Sequence, residues 1–401
     1  MDLVDEMIEL TEGQLSPDIF RKWAAIGLVS IALSRDKFSQ LLPEPTYPNL
    51  FVLLVGPPGC GKTVALNAVE RWADRTDTIK KLVLPNSCTM RAMTGLLGIE
   101  HDKDEKFAGS NKNLNVICKG VGFFSEFNNF LGPLDRDMFS ALAELWDCKE
   151  KYWHKTQHSG EDHIRNVYLA FVAGVQPSYF ADIPATVYQR GLPSRLIMIH
   201  SDEVIDPVYG DYTQSEENRI RNKQLISALA GLDSKPGKYL WTREAIARLN
   251  KWIKEERDIT GPVAAGLEDY RARRAHHLIK LAMIAGASQH HDIRVEVGDF
   301  ERAIEWLTEA EEFMPKAVEH VGTSASYQVE VAAMAWLQKE YDRRGLVGEP
   351  ALRRVLTRSM PAYQVDGVID GLIKQNKIEA RKFDKQKVAN KAPNRNFAPL
   401  K

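Results

Sequence analysis

Phe51-Val52-Leu53-Leu54-Val55-Gly56-Pro57-Pro58-Gly59-Cys60-Gly61-Lys62-Thr63 decides the fold of this chain. Five consecutive apolar residues read as a strand buried on both faces, as in a parallel sheet. The turn that follows, with helical apolar spacing at Val64, Leu66, Ala68, Val69 and Trp72, reads as a phosphate-binding loop opening a helix. Gly56, Gly59 and Gly61 let backbone N–H groups turn toward a β-phosphate, with Pro57, Pro58 and Cys60 completing the loop. Lys62 reaches the β- and γ-oxygens, and the Thr63 hydroxyl stands where it can ligate Mg²⁺. ATP and Mg²⁺ are the expected cofactors.

Composition bounds what surrounds this loop. A chain of 401 residues is long enough for roughly two to four domains. With 53 basic against 54 acidic residues, any nucleic-acid contact must come from local patches and not from a global field. Cys60, Cys88, Cys118 and Cys148 lie far apart without C-x-x-C spacing, and no apolar stretch approaches the ~20 residues of a membrane span. Met1-Asp2-Leu3-Val4-Asp5-Glu6 is acidic and lacks the pattern of a signal peptide. A reduced, cytoplasmic protein without a membrane partner is expected.

Outward from the loop, Ser16-Pro17 reads as a helix start, and Phe20, Trp23, Ile26, Leu28 and Ile31 continue it, giving an N-terminal helical segment over 1–46. Strands and helices then alternate, with strands expected at 51–55, 81–84, 121–125, 167–175 and 195–199. This is the pattern of an α/β core with a mostly parallel sheet, bounded at 47–235. A hairpin is expected over 149–166, its tip near 157–160. Apolar residues at three- and four-residue steps over 242–257, 267–285 and 299–313 make an all-helical domain over 236–322. After Gly322-Thr323-Ser324-Ala325-Ser326 come helices at 328–343, 351–356 and 363–375. Two arms follow, carrying Ile378 and Phe383, then Phe397 and Leu400, in the order of a winged-helix domain over 323–401.

Hydrolysis requires a group to orient water, support for Mg²⁺ and positive charge at the γ-phosphate. Glu126, at the end of the strand around Val121, is the candidate that polarises water. Ser125 beside it can bond a Mg²⁺-bound water. Gln176, where the strand over 167–175 emerges, is a candidate γ-phosphate sensor. Arg195 is the candidate arginine finger, donated to a neighbouring subunit, with Arg190 as the competing choice and a structural ion pair as the alternative role. Arg273 and Arg274 are equally credible as a residue folding over the triphosphate, because one helical step of about 100° decides which faces the site.

Together these motifs resemble the AAA+ ATPases over about 47–313. Within them they are similar to the branch holding minichromosome-maintenance and superfamily 3 helicases and phage or prophage helicase-like ATPases. The hairpin before the sensor strand, the step Gly191-Leu192-Pro193-Ser194-Arg195 and the C-terminal module carry that closer likeness. Ser125 departs from the pattern, standing where an aspartate is usual. The resemblance implies an AAA+ core, a helical lid, a winged helix and a homo-oligomeric ring, commonly a hexamer, with ATP at each interface. It implies hairpins facing a pore, with Lys151, Lys155 and Arg165 on DNA, while Arg381 and Lys382 contact phosphate from the wing. The expected activity is ATP hydrolysis driving a DNA helicase or translocase in phage or mobile-element replication. The alternative is a loader or remodelling switch acting on DNA or a replication partner without unwinding.

Overall fold

A computed structural model describes residues 1–87, 92–97, 117–131, 136–156, 160–182, 191–206, 215–258, 267–318, 325–357, 362–374, 378–382 and 395–399. It divides into two units, Met1–Glu319 and His320–Lys401. After two N-terminal helices, α1 (Leu3–Leu10) and α2 (Asp18–Ala32), the first unit runs through a short strand β1 (Lys37–Phe38) into β2 (Phe51–Val55). All five β2 residues are buried because β2 lies inside a parallel sheet. The sheet order is β3-β6-β2-β7, with β3 at Lys119–Phe124, β6 at Tyr168–Val175 and β7 at Leu196–His200. Phe51 is in register with Phe171 on one side and with Leu196 on the other. The expected α/β class with a parallel sheet is observed. The segment at 81–84, expected as a strand, forms a parallel bridge from Val83 to Val121 instead.

Twelve of the fifteen residues of α2 are buried, including Ser30. A hydroxyl at that depth needs partners. Ser30 donates to the Pro48 carbonyl at 2.8 Å and accepts from the Leu50 amide at 2.9 Å, while its own carbonyl accepts from the Tyr168 hydroxyl at 2.7 Å. These bonds fasten α2 at the level where β2 and β6 begin. An aromatic cluster spans β2, β6 and β3: Phe51 stacks on Phe171 at 4.3 Å between centroids, and Phe124 on Phe130 at 3.9 Å. Phe127, from the short helix Phe127–Leu131, joins it at 5.5 Å from Phe171.

The helix ending at Trp146 (Arg136–Trp146) leads into an antiparallel hairpin, β4 (Lys151–Thr156) and β5 (Gly160–Arg165). Residues 157–159, the expected tip, lie outside the described residues. The helices Arg243–Asp258, Arg274–His290 and Val297–Val318 answer the helical pattern after the sheet.

The second unit has a core of its own, including Leu337, Leu352, Ile369, Ile378 and Phe397. Helices Ala325–Arg344, Glu349–Leu356 and Ala362–Lys374 pack with a three-stranded antiparallel sheet of Val347–Gly348, Arg395–Pro399 and Ile378–Lys382, in that order. Among the described residues no helix is long and apolar enough to cross a membrane.

Candidate nucleotide site and the opposite edge of the sheet

The phosphate loop leaves β2 at Gly56, whose amide donates to the Val175 carbonyl at 3.2 Å, so it is tied to the end of β6. It enters the helix Lys62–Ala73, which has no acidic residue in its first turn to oppose an anion at its positive end. Gly61 caps that helix at φ 83°, where a side chain is strained. A Cβ there would also lie 2.3 Å from the Leu15 carbonyl oxygen, so the N-terminal segment is seated directly against the loop. Lys62 is 6% exposed, and its ammonium donates to the carbonyls of Gly56 at 2.6 Å and Pro57 at 2.8 Å. Those acceptors hold the charge at the loop. Cys60 is buried beneath, its sulfur 3.6 Å from Lys62 Nζ. Pro58, Gly59 and Thr63 are exposed.

Ser125 is exposed and Glu126 half-buried at the end of β3. Glu126 lies between Phe124 and Phe127, both locked in the aromatic cluster, which fixes the backbone on either side of it. A Cβ on Gly174 would lie 2.7 Å from the Ser125 carbonyl oxygen, so the bare backbone of β6 allows this turn to approach. Gln176, half-buried, follows Val175 beside the loop. The loop, Ser125, Glu126 and Gln176 are therefore gathered at one edge of the sheet, where the strands end. The other flank of the loop is Ser201, whose amide donates to the Val55 carbonyl at 3.0 Å.

The arginines are at the other edge. Arg195 stands immediately before β7, level with the start of β2. It is 9% exposed; Nη2 donates to Asp147 Oδ2 at 2.8 Å and Nη1 to the Gly191 carbonyl at 2.7 Å. Within its own subunit Arg195 thus makes the ion pair that was the alternative to a finger. Arg273 shares the same carboxylate, with Nη1 3.4 Å from Asp147 Oδ1. Arg273 and Arg274, expected to fold over the triphosphate, belong to an element held at the end of the sheet away from the loop of their own subunit. The reason is the anchoring of the helix Arg274–His290. His277 Nε2 donates to the Ser194 carbonyl at 2.9 Å, and Lys280 donates to Asn49 Oδ1, both where strands begin. The side chains of adjacent arginines diverge: Arg274 turns away to Glu256 and to Glu311, reaching the latter at 2.5 and 2.6 Å. Arg190 lies outside the described residues.

Asp147 and its surroundings were not singled out by sequence. Three cations, Arg195, Arg273 and Lys280, lie over the Trp146 ring at 5.7, 5.9 and 4.0 Å from its centroid. Burial pushes the Lys280 ammonium down to about 8, opposed by the nearby Cys148 and Asp147 and reinforced by the two arginines. Burial likewise holds His277 down at about 3, neutral, stacked 5.2 Å from Tyr270. A tryptophan followed by aspartate at a helix end was the available signal, but its partners are 48 and 126 residues away in sequence.

In the hairpin, Lys151 pairs with Arg165 at the base, both exposed, while Lys155 is opposite Glu161 and His154 opposite Asp162. Arg381 and Lys382 lie on a strand opposite Asn396 and Arg395. Among the described residues no group of three or more His, Cys, Asp or Glu is arranged to hold a metal ion. For Mg²⁺ the exposed Thr63 and Ser125 offer hard hydroxyl oxygens at the loop edge, a donor set that fits when triphosphate oxygens complete it.

Compared with protein-family models and with curated proteins, the chain matches none.

Proposed function

We propose that this protein is an ATPase of the AAA+ type whose site is completed by a second copy of the chain. One observation carries the proposal: the phosphate loop and the Asp147-linked arginines occupy opposite edges of one parallel sheet. Five residues of strand separate them, roughly 17 Å at 3.3 Å per residue, which no arginine side chain spans. Guanidinium groups on this edge meet a triphosphate when the edge of one copy faces the loop of the next. Arg273, with 31% of its side chain exposed, is the outer donor and Arg195 the inner one, and together they exceed the single Asp147 charge by one.

The chain's own residues then divide the work. Lys62 and the loop amides hold the β- and γ-phosphates. Thr63 would hold Mg²⁺ directly and Ser125 through water; when bound, the ion neutralises charge on the phosphate oxygens. The carboxylate strand β3 is two strands from β2, a separation of about 10 Å at 4.8 Å per strand. That leaves room for a water between Glu126 and a γ-phosphate, with Gln176 on the intervening strand to sense it. Proton abstraction by Glu126 and charge relief by the neighbour's guanidinium groups complete the hydrolysis.

The same proposal extends to a ring, a hexamer in the resemblance, that moves on DNA as a helicase or translocase through β4–β5, with the second unit serving as a winged helix. The antiparallel hairpin and the helix-strand order of that unit support this extension. DNA at low salt is expected to raise ATP turnover, and turnover unchanged by single- and double-stranded DNA refutes the motor. Ser125, one charge short of the usual metal support, favours the second reading, a slow loader switch. A forked duplex left intact by a DNA-stimulated ATPase identifies the loader.

A further inference from the structure

On the arginine edge, a cavity of about 610 Å³ opens between the end of α2, residues 42–47, the turn after Trp146 and the first half of the helix Arg274–His290. Its walls include Arg35, Tyr47, Trp146, Arg273, His276 and Lys280. Two of these are buried cations resting on neutral groups. Arg35, 7% exposed, stacks with Cζ 4.5 Å from the Tyr47 ring centroid and donates to the Tyr47 hydroxyl at 3.2 Å. Lys280, 3% exposed, donates to the Asn49 amide oxygen and covers the Trp146 ring. The half-buried carboxylate in the wall, Asp147, is engaged by Arg195 and Arg273, and neither Arg35 nor Lys280 is ion-paired among the described residues.

Unmet hydrogen-bonding capacity points the same way. Arg35 Nε, Trp146 Nε1 and His276 Nδ1 are buried without a hydrogen-bond partner. The first two are donors, and the third is a donor in one tautomer. Buried cations without a directly bonded counter-ion and buried donors without acceptors are both costly, and an anion rich in acceptor oxygens relieves both. The remaining charged wall residues, Glu44, Lys149 and Glu150, are exposed at the rim, where solvent and salt screen them. The volume falls within the roughly 300–1,000 Å³ of small-molecule sites, more than a bare phosphate fills. Leu42, Pro43 and Pro45 offer apolar surface beside the cations.

We propose that this cavity binds a small organic phosphate, its phosphoryl group at Arg35 and Lys280 and its ring or apolar part against Pro43 and Pro45. The site is separate from the phosphate loop and does not rest on the ATPase proposal. The test is calorimetric titration of full-length Lys62→Ala, in which the loop is disabled, with AMP, pyrophosphate and inorganic phosphate at low ionic strength. AMP is expected to bind one per chain, at least tenfold tighter than inorganic phosphate. Arg35→Gln in the same background is expected to weaken it at least tenfold. Should Arg35→Gln lose its cooperative unfolding transition, Lys280→Gln takes its place. Inorganic phosphate binding as tightly as AMP overturns the organic part of the assignment. No binding of any probe at millimolar concentration, or AMP binding unaffected by the substitution, overturns the site itself. Wild-type ATP binding at the loop, measured in parallel, remains intact in either case.

Discussion

Replacing Arg195 by alanine separates a structural ion pair from a shared catalytic group. The side chain is 9% exposed and contributes charged bonds to Asp147 at 2.8 Å and to the Gly191 carbonyl at 2.7 Å. Asp147 keeps Arg273 at 3.4 Å and is itself 24% exposed in its side chain, so solvent compensates part of the loss. At about 1.5–3 kcal/mol for a hydrogen bond to a charged group, with that discount, the expected destabilisation is about 2–3 kcal/mol. For a unit of this size this is roughly 3–5 °C in the unfolding midpoint, read by scanning fluorimetry. Nucleotide affinity of the isolated subunit, read by titration with a fluorescent ATP analogue, is expected to stay within about twofold, because the residue lies roughly 17 Å from its own loop. Phosphate release by the assembled protein, assayed well below the midpoint, is expected to fall by about a thousandfold or more, the scale of a missing arginine finger. Turnover within twofold of wild type, per folded molecule, refutes the reasoning and leaves Arg195 a structural ion pair.

Gly61→Ala is expected to cost about 1–3 kcal/mol from positive φ alone and to push the Leu15–Ser16 backbone off the loop, weakening nucleotide binding; wild-type affinity would show that this contact is dispensable. Lys119 is buried without a hydrogen-bond partner, 4.0 Å from Asp233, and burial pushes it from 10.5 down to about 8, as for Lys280. Between those values the unfolded chain holds protons that the folded chain has shed, so stability rises with pH by up to about 1.4 kcal/mol per unit for each lysine. The Cys148 thiol, raised by burial from 9 to about 11, acts in the opposite sense above pH 9. Urea denaturation at pH 8 and 9 is therefore the clean window. Lys119→Met is expected to stabilise the protein at pH 7 by up to about 3 kcal/mol and to flatten that slope; a destabilised Lys119→Met contradicts this account of the buried ammonium.

The legible parts of the fold were those written locally. Apolar runs at 51–55 and 167–175 predict buried parallel strands, and the glycine pattern predicts the loop, because both depend on neighbouring residues. The segment at 81–84 reads as a strand by composition, yet it sits at the sheet margin and forms a bridge from Val83 to Val121. Which arginine faces which edge was not legible, since it turns on anchors distant in sequence: Lys280 to Asn49 across 231 residues, and His277 to Ser194 across 83. Asp147 was missed for the same reason, a half-buried carboxylate whose meaning comes entirely from the guanidinium groups folded against it. The hairpin's cross-strand register, with Lys151 opposite Arg165 and Lys155 opposite Glu161, was likewise not legible, since it is set by the pairing of two strands and not by the order of residues along either one.

Whether two copies build one site can be measured directly. Glu126→Gln retains the arginine edge but lacks the carboxylate proposed to polarise water, whereas Arg195→Ala retains the loop and carboxylate but lacks the guanidinium proposed for the neighbouring site. Each alone is expected to be nearly inactive. Mixing the two purified proteins under assembly conditions and measuring phosphate release is the most direct measurement. Recovered turnover, rising to a maximum near equal proportions, is predicted, because some interfaces then pair an intact loop edge with an intact arginine edge. A mixture no more active than the sum of its parts, at concentrations where wild type is assembled and active, contradicts a site shared between subunits.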